Sequence, residues 1–260
     1  MGEVLVIASG KGGAGKSTLA VNLALALIAR KKTVVLVDAD TGLRSLDIML
    51  GLQDRVVYDL CDAAEGLCRV RQALVRDRGR EGLCLMAAAQ TRESGAVAPA
   101  QMERVVGQLR AQFDYVIVDA PAGVGRGFRA AAAAADRAIL VALPDWVSMR
   151  GAERVVGLLE RQDILHPMLV VNRLADGASP SPNEMASALG ISLLGLVPEE
   201  RGVSRAMSTG KPEALIGTAA GRAYQNIARR LMGEAVPLPG TKPRGRIWQW
   251  LARYFGAGSV

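Results

Sequence analysis

Seven short runs of aliphatic and β-branched residues constrain the fold of this chain more than anything else in it. They are VLVIA (4–8), TVVLV (33–37), LCLMA (83–87), YVIVD (115–119), AILVAL (138–143), MLVVN (168–172) and LLGLV (193–197). A strand with one wet face alternates apolar and polar residues, so near-continuous apolar runs belong to strands covered on both sides. Helical patterns separate the runs, at about 17–30, 99–111, 126–135, 147–160, 183–189 and 217–232. This alternation predicts an α/β fold: a doubly wound, mostly parallel sheet with right-handed crossovers. With 260 residues, half of them hydrophobic and only 4% aromatic, the chain has ample material for such a core. Three cysteines, Cys61, Cys68 and Cys84, form no C-x-x-C pair. They are too few for a disulfide framework and read as reduced thiols in a cytosolic protein. No run of about 18 apolar residues exists to cross a bilayer, and the N-terminus opens on a strand-like segment without a secretion signal.

Three units are expected: a domain over 1–232, a linker over 233–245 and a short helix over 246–256. The span GEAVPLPGTKPRG (233–245) holds three Pro and three Gly, the composition of a tether. The formal net charge is +7, but Lys242, Arg244, Arg246 and Arg253 fall within 241–260, a stretch without acids, which leaves +3 over the first 240 residues. A mildly basic body with a concentrated cationic tail points to an anionic surface at the C-terminus. It does not point to a protein-wide nucleic-acid footprint, and no sequence-specific nucleic acid is expected as a partner.

SGKGGAGKST (9–18) follows the first strand run and satisfies G-x-x-x-x-G-K-[ST] with Gly10, Gly15, Lys16 and Ser17. Glycines permit backbone angles closed to other residues and let successive amides face one anion. The stretch Gly10, Lys11, Gly12, Gly13, Ala14 and Gly15 therefore reads as a phosphate cradle, with Thr18 just inside the helix that follows. That helix adds the positive end of its dipole. Lys16 is expected to reach the β- and γ-phosphates and Ser17 to ligate Mg²⁺. The plainer alternative is a Gly-rich turn between strand and helix.

Lys11 makes the motif more specific. KGGAGKST resembles the deviant Walker A motif, K-G-G-x-G-K-[ST], of the MinD/ParA family of P-loop ATPases, whose fold is of the SIMIBI type. The resemblance implies ATP as the nucleotide and an ATP-dependent homodimer with the nucleotides sandwiched between subunits. In it Lys11 would reach across to the partner's phosphates and neutralise charge in trans, as an arginine finger does elsewhere. An exposed loop lysine is the alternative.

Two strand ends carry carboxylates. VDADTGLRSLD (37–47) resembles the D-x-D-x-G-L-R-N-L-D switch I segment of the family's MinD branch, with Ser45 in place of Asn. The resemblance makes Asp40 the residue that orients the attacking water and puts Asp38 near the Mg²⁺ shell. The alternative is a pair of aspartates capping the next short helix. In YVIVDAPAG (115–123), Asp119 follows four largely apolar residues and is the candidate second Mg²⁺ residue, held through water. Gly125 and Arg126 stand where the family usually has an acidic residue. Further on, Asn172 and Arg173 of VVNR, and Pro198 of LVPEE, resemble the family's adenine-contacting segments. A satisfied strand-end amide is the other reading of Asn172.

The last signal lies in GRIWQWLARYFG (245–256). At about 100° per residue, Ile247, Trp248, Trp250, Leu251, Tyr254 and Phe255 fall in one broad sector, with Arg246, Gln249 and Arg253 opposite. Aromatic residues favour the headgroup level and basic ones attract anionic lipid, so this helix reads as an interfacial membrane anchor. The alternative is that the apolar face packs on protein. The segment resembles the membrane-targeting tail of the MinD branch in position and design. The resemblance implies a cytoplasmic ATPase, peripheral on the inner face of the cell membrane, that places the division septum. It would recruit a MinC-like inhibitor and answer to a MinE-like or other spatial regulator. Within the superfamily the rivals are a ParA-type DNA-segregation ATPase and a MinD-like regulator of flagellar number. Outside enzymology the rival is an ATP-gated membrane scaffold.

Overall fold

The computed structural model describes residues 1–41, 43–90 and 96–239. Its strands are β1 (Glu3–Ala8), β2 (Val34–Asp38), β3 (Leu74–Arg76), β4 (Leu83–Met86), β5 (Tyr115–Asp119), β6 (Arg137–Ala142), β7 (Met168–Leu174) and β8 (Ser192–Pro198). The helices are α1 (Lys16–Ile28), α2 (Leu46–Leu50), α3 (Leu60–Glu65), α4 (Pro99–Leu109), α5 (Arg126–Ala133), α6 (Trp146–Glu160), α7 (Pro182–Leu189), α8 (Arg201–Ser208) and α9 (Ala219–Leu231). Local chemistry explains several starts. Asp59 accepts the amides of Cys61 and Asp62 while Asp62 returns a bond to the Asp59 amide, a capping box that opens α3. Ser181 and Glu184 do the same for α7, with Pro182 at its first position.

The strands form one sheet in the order β3-β4-β2-β5-β1-β6-β7-β8, parallel throughout except for β3 against β4. The predicted doubly wound parallel sheet is what the chain forms. Alternate residues of each central strand feed two cores. Val4, Val6 and Ala8 of β1 pack with α3 to α7 on one face, while Leu5 and Ile7 pack with α1, α2, α8 and α9 on the other. That is why the strand runs carry no polar alternation. From β1 the chain steps one way across the sheet, to β2 and β4, and from β4 it steps the other way, to β5, β6, β7 and β8, so right-handed crossovers put α1 on one face and α4 to α7 on the other. The crevice opened by this reversal sits at the carboxyl ends of the strands, where α/β sheets bind ligands.

The sequence reading has seven strands; the eighth, β3, is three residues long. It pairs antiparallel at the sheet edge, Leu74 with Met86 and Arg76 with Cys84. Too short to leave a periodic signal, it exposes Arg76 where an edge strand needs a charge against further pairing. The expected linker is not loose from its first residue. Glu234 accepts from Arg30 at 2.6 Å and from Arg229 at 2.8 Å, and Arg230 donates to the carbonyls of Val236 and Pro237. The expected anchor, 246–256, lies outside the described residues, as do its six apolar residues. Among the described residues no helix is long and apolar enough to cross a membrane.

Candidate nucleotide-binding and hydrolysis site

The loop between β1 and α1 is built by close backbone approach. Gly13 and Gly15 hold φ of +76° and +98°, and Gly15 occupies the N-cap of α1 without a side chain to block the helix amides. A Cβ on Gly15 would meet Asn172 Nδ2 at 2.1 Å, and one on Gly10 would meet the Gly151 carbonyl carbon of α6 at 2.0 Å. Gly12 and Gly13 face open space. The Ser9 hydroxyl donates to the Lys11 carbonyl at 3.0 Å, and the Gly123 amide donates to the Ser9 carbonyl at 3.1 Å, tying the loop to the segment after β5. The result is a concave, amide-lined seat at a helix N-terminus, the geometry that favours a phosphate chain.

Beneath the seat lies a buried charge cluster. Neighbouring strands β2 and β5 run in register, with Asp38 opposite Asp119. Asp38 accepts three backbone amides: one oxygen takes the Asp40 amide at 3.1 Å, the other the amides of Ser45 and Leu46 at 3.0 and 3.1 Å. It caps α2 and holds the 40–45 turn closed. Of its two sequence readings, capping is the one these bonds describe, and Oδ1 keeps an acceptor site beyond the Asp40 amide. Asp119 is the opposite case. Both of its oxygens are buried and neither accepts a hydrogen bond. Lys16, itself 7% exposed, brings its ammonium to 3.9 Å, and the Ser17 hydroxyl lies nearby without forming a well-aligned bond. Burial pushes the Asp119 carboxyl well above the usual range despite Lys16 and Ser17, with Asp40 adding repulsion. Burial, then the Asp119 charge, lifts Asp38 as well, against its amide bonds. Half-buried Asp40 is raised by burial and lowered by Lys16.

These residues fit Mg²⁺ and a triphosphate. A buried carboxylate with two unused oxygens beside a hydroxyl is an oxygen donor set suited to Mg²⁺. The open glycines above it leave room for phosphates. When bound, the metal–nucleotide pair supplies the transferable phosphoryl group and a cation that offsets its charge.

Beside the seat a pocket of about 600 Å³ is lined by Gly15, Thr18, Asn172, Arg173, Val197 and Pro198 among others. The structure thus brings the three adenine candidates together next to the loop. A register shift between β7 and β8 at Val171/Leu174 throws Asn172 and Arg173 out of the ladder, and Arg173 adopts a left-handed φ of +52°. The Asn172 amide group donates to the Ala14 carbonyl at 2.8 Å, so one of its two N–H donors braces the loop, leaving the other and its oxygen for a base. Lys11 stands at the rim, 41% exposed, 3.5 Å from Asp145. Asp145 also caps α6 through the Ser148 amide at 2.7 Å. Asp145 and Gly151 are absent from the sequence reading. A helix-capping Asp and a mid-helix Gly carry no signal until β6 places α6 against the loop.

A parallel sheet with this crevice, this seat and this lysine at the rim defines a P-loop nucleoside triphosphatase. Comparison with known proteins agrees. A family model described as "ParA: NUBPL iron-transfer P-loop NTPase" matches residues 1–232. The chain is 46% identical over 246 residues to the septum site-determining protein MinD of Bacillus subtilis (strain 168), covering 92% of each. It superposes on the MinC:MinD cell division protein complex of Aquifex aeolicus with a TM-score of 0.83, at 38% identity over 91% of this chain and 98% of that one. MinD of Pyrococcus horikoshii OT3 complexed with Mg-ADP gives a TM-score of 0.80 at 25% identity, covering 89% and 96%. The chain belongs to the MinD/ParA family of P-loop ATPases, in its MinD branch, and is an ATPase that uses ATP with Mg²⁺.

Proposed function

We propose that this ATPase is a dimerising switch: ATP joins two copies face to face, the pair settles on the inner membrane surface through residues 246–256, and the membrane-bound form helps place the division septum. The observation that carries this is Lys11. It sits at the open rim of the phosphate seat, outside the buried cluster of Lys16 and Asp119, and among the described residues it pairs with the part-exposed Asp145. A pair between groups this exposed is worth little, so Lys11 is free to exchange Asp145 for a phosphate on a second copy. Lys16 serves its own subunit's phosphates, Ser17 and Asp119 hold Mg²⁺, and Asp38 keeps the turn bearing Asp40 in place. Asp40 orients the attacking water, and since phosphoryl transfer asks for positioning more than basicity, an ordinary carboxylate suffices.

The relatives are septum site-determining proteins, and one solved neighbour is a complex with MinC. By that likeness the partners here are a MinC-like division inhibitor and a MinE-like or other spatial regulator. Two tails carried by one dimer bind lipid additively in free energy, so nucleotide state sets membrane residence. The test is Lys11→Ala in the full chain, read by sedimentation velocity in ATP and by phosphate release. Loss of both the ATP-dependent dimer and turnover is expected, while nucleotide binding through Lys16 persists. A variant that dimerises and hydrolyses normally would remove the role.

A further inference from the structure

A second cavity, of about 810 Å³, exceeds the nucleotide pocket and has no part in the chemistry above. It runs along the C-terminal half of α1, with a floor of Leu25 and Ile28 from α1, Leu50 and Leu52 from the end of α2, and Leu215 and Ile216 ahead of α9. Ile216 is 75% exposed at its edge. The charged lining residues are three carboxylates, Asp77, Glu81 and Glu213, against Arg55 and Arg80. Arg80 is consumed by Asp77 at 2.6 Å and Glu213 at 2.8 Å. The groove is apolar below and weakly acidic above.

The chain after α9 passes beside one end of this groove. Ile28 and Ala29 form its wall, and the next residue, Arg30, grips Glu234 at 2.6 Å. The carbonyls of Val236 and Pro237 are pinned by Arg230. From Pro237 to Trp248 the chain has eleven steps, an extended reach of roughly 35 Å. One turn of helix, about 5.4 Å, separates Leu25 from Ala29 along the groove wall. Residues 246–256 are therefore within easy reach, and they are aromatic on one face and carry Arg246 and Arg253 with no acid.

From this we infer that residues 246–256, when off the membrane, dock by their aromatic face into the α1–α9 groove of their own chain. The inference rests on the reading of that segment as the membrane anchor. A face bearing two Trp, a Tyr and a Phe is a liability in water, and an apolar groove within reach would cover it as an amphipathic helix in a groove. Docking competes with lipid for the same side chains. The apparent affinity of a tail for vesicles is then its intrinsic affinity multiplied by the undocked fraction.

The experiment places a p-benzoylphenylalanine photocross-linker at position 216 of the full chain. In ADP without lipid the expected product is an intramolecular cross-link to a peptide within 246–256, lost when ATP and phosphatidylglycerol vesicles are added. Independently, Ile216→Glu is expected to raise vesicle affinity in ADP, by about tenfold if nine tails in ten are docked, with ATP turnover unchanged. Cross-links confined to other parts of the body, cross-links between two chains, or unchanged ADP-state binding in Ile216→Glu would each overturn the docking. Failure of the unmodified chain to bind vesicles in ATP, beside a 216-to-tail cross-link in ADP, would uphold docking and remove the membrane reading instead.

Discussion

At the scale of single residues the site is defined by which polar groups are satisfied and which are left open. Asp38 spends its oxygens on three amides and Asp119 spends none. Both carboxyls are raised by burial in the metal-free protein. In the unfolded chain they ionise near pH 4. Between that pH and neutrality the folded state therefore holds more protons than the unfolded one, and stability falls as pH rises through the window. Asp119→Asn removes one of these buried charges. Without nucleotide and in EDTA it should raise stability at pH 8 by about 1–2 kcal/mol and have no effect at pH 4. Urea denaturation at the two pH values checks this. The same variant should lose the stabilisation that Mg-ATP confers on the parent. A variant no more stable at pH 8 would show that Asp119 is not held against its charge.

At the scale of elements, the phosphate loop depends on α6 as much as on α1. A Cβ on Gly151 would come within 2.8 Å of the Gly10 carbonyl oxygen, a backbone atom that cannot swing aside. Gly151→Ala should therefore cost about 1–3 kcal/mol by overpacking. It should also weaken nucleotide binding by displacing the loop, seen as a raised dissociation constant for a fluorescent ATP analogue. Helix α5 carries a different mismatch. Its first residue is Arg126, and its first turn has no acid, so a cation sits at the positive end of the dipole. Arg126→Glu should stabilise the protein by about 0.3–1 kcal/mol, read as a higher urea midpoint at unchanged slope.

At the scale of the whole molecule, the proposed function puts chemistry and address in separate parts of the chain. Every candidate hydrolysis residue lies at the carboxyl edge of one sheet, while the proposed anchor follows in sequence a tail pinned beside the far end of α1. Trp248→Glu should consequently leave ATP-dependent dimerisation and turnover intact and abolish sedimentation with anionic vesicles. Undiminished vesicle binding would sink the anchor. If the proposed anchor holds, raising salt should weaken vesicle binding of the parent, because attraction of Arg246 and Arg253 to lipid headgroups would be screened.

The sequence by itself determined the sheet and the existence of the seat. Strands buried on both faces must be continuously apolar, so seven of them were legible, and a glycine loop between strand and helix allows little besides a phosphate. The three-residue β3 was not legible, since an edge strand that short leaves no period to detect. Only the tertiary structure decided how the polar groups are shared out. Asp38 and Asp119 look alike in sequence, each an acid at a strand end. Their difference lies in whether a turn folds its amides back onto the carboxylate. Asp145 beside Lys11, Gly151 against Gly10 and the Asn172 brace on Ala14 all join residues more than 130 positions apart. No local pattern encodes such meetings, because they follow from the order in which parallel strands are laid side by side.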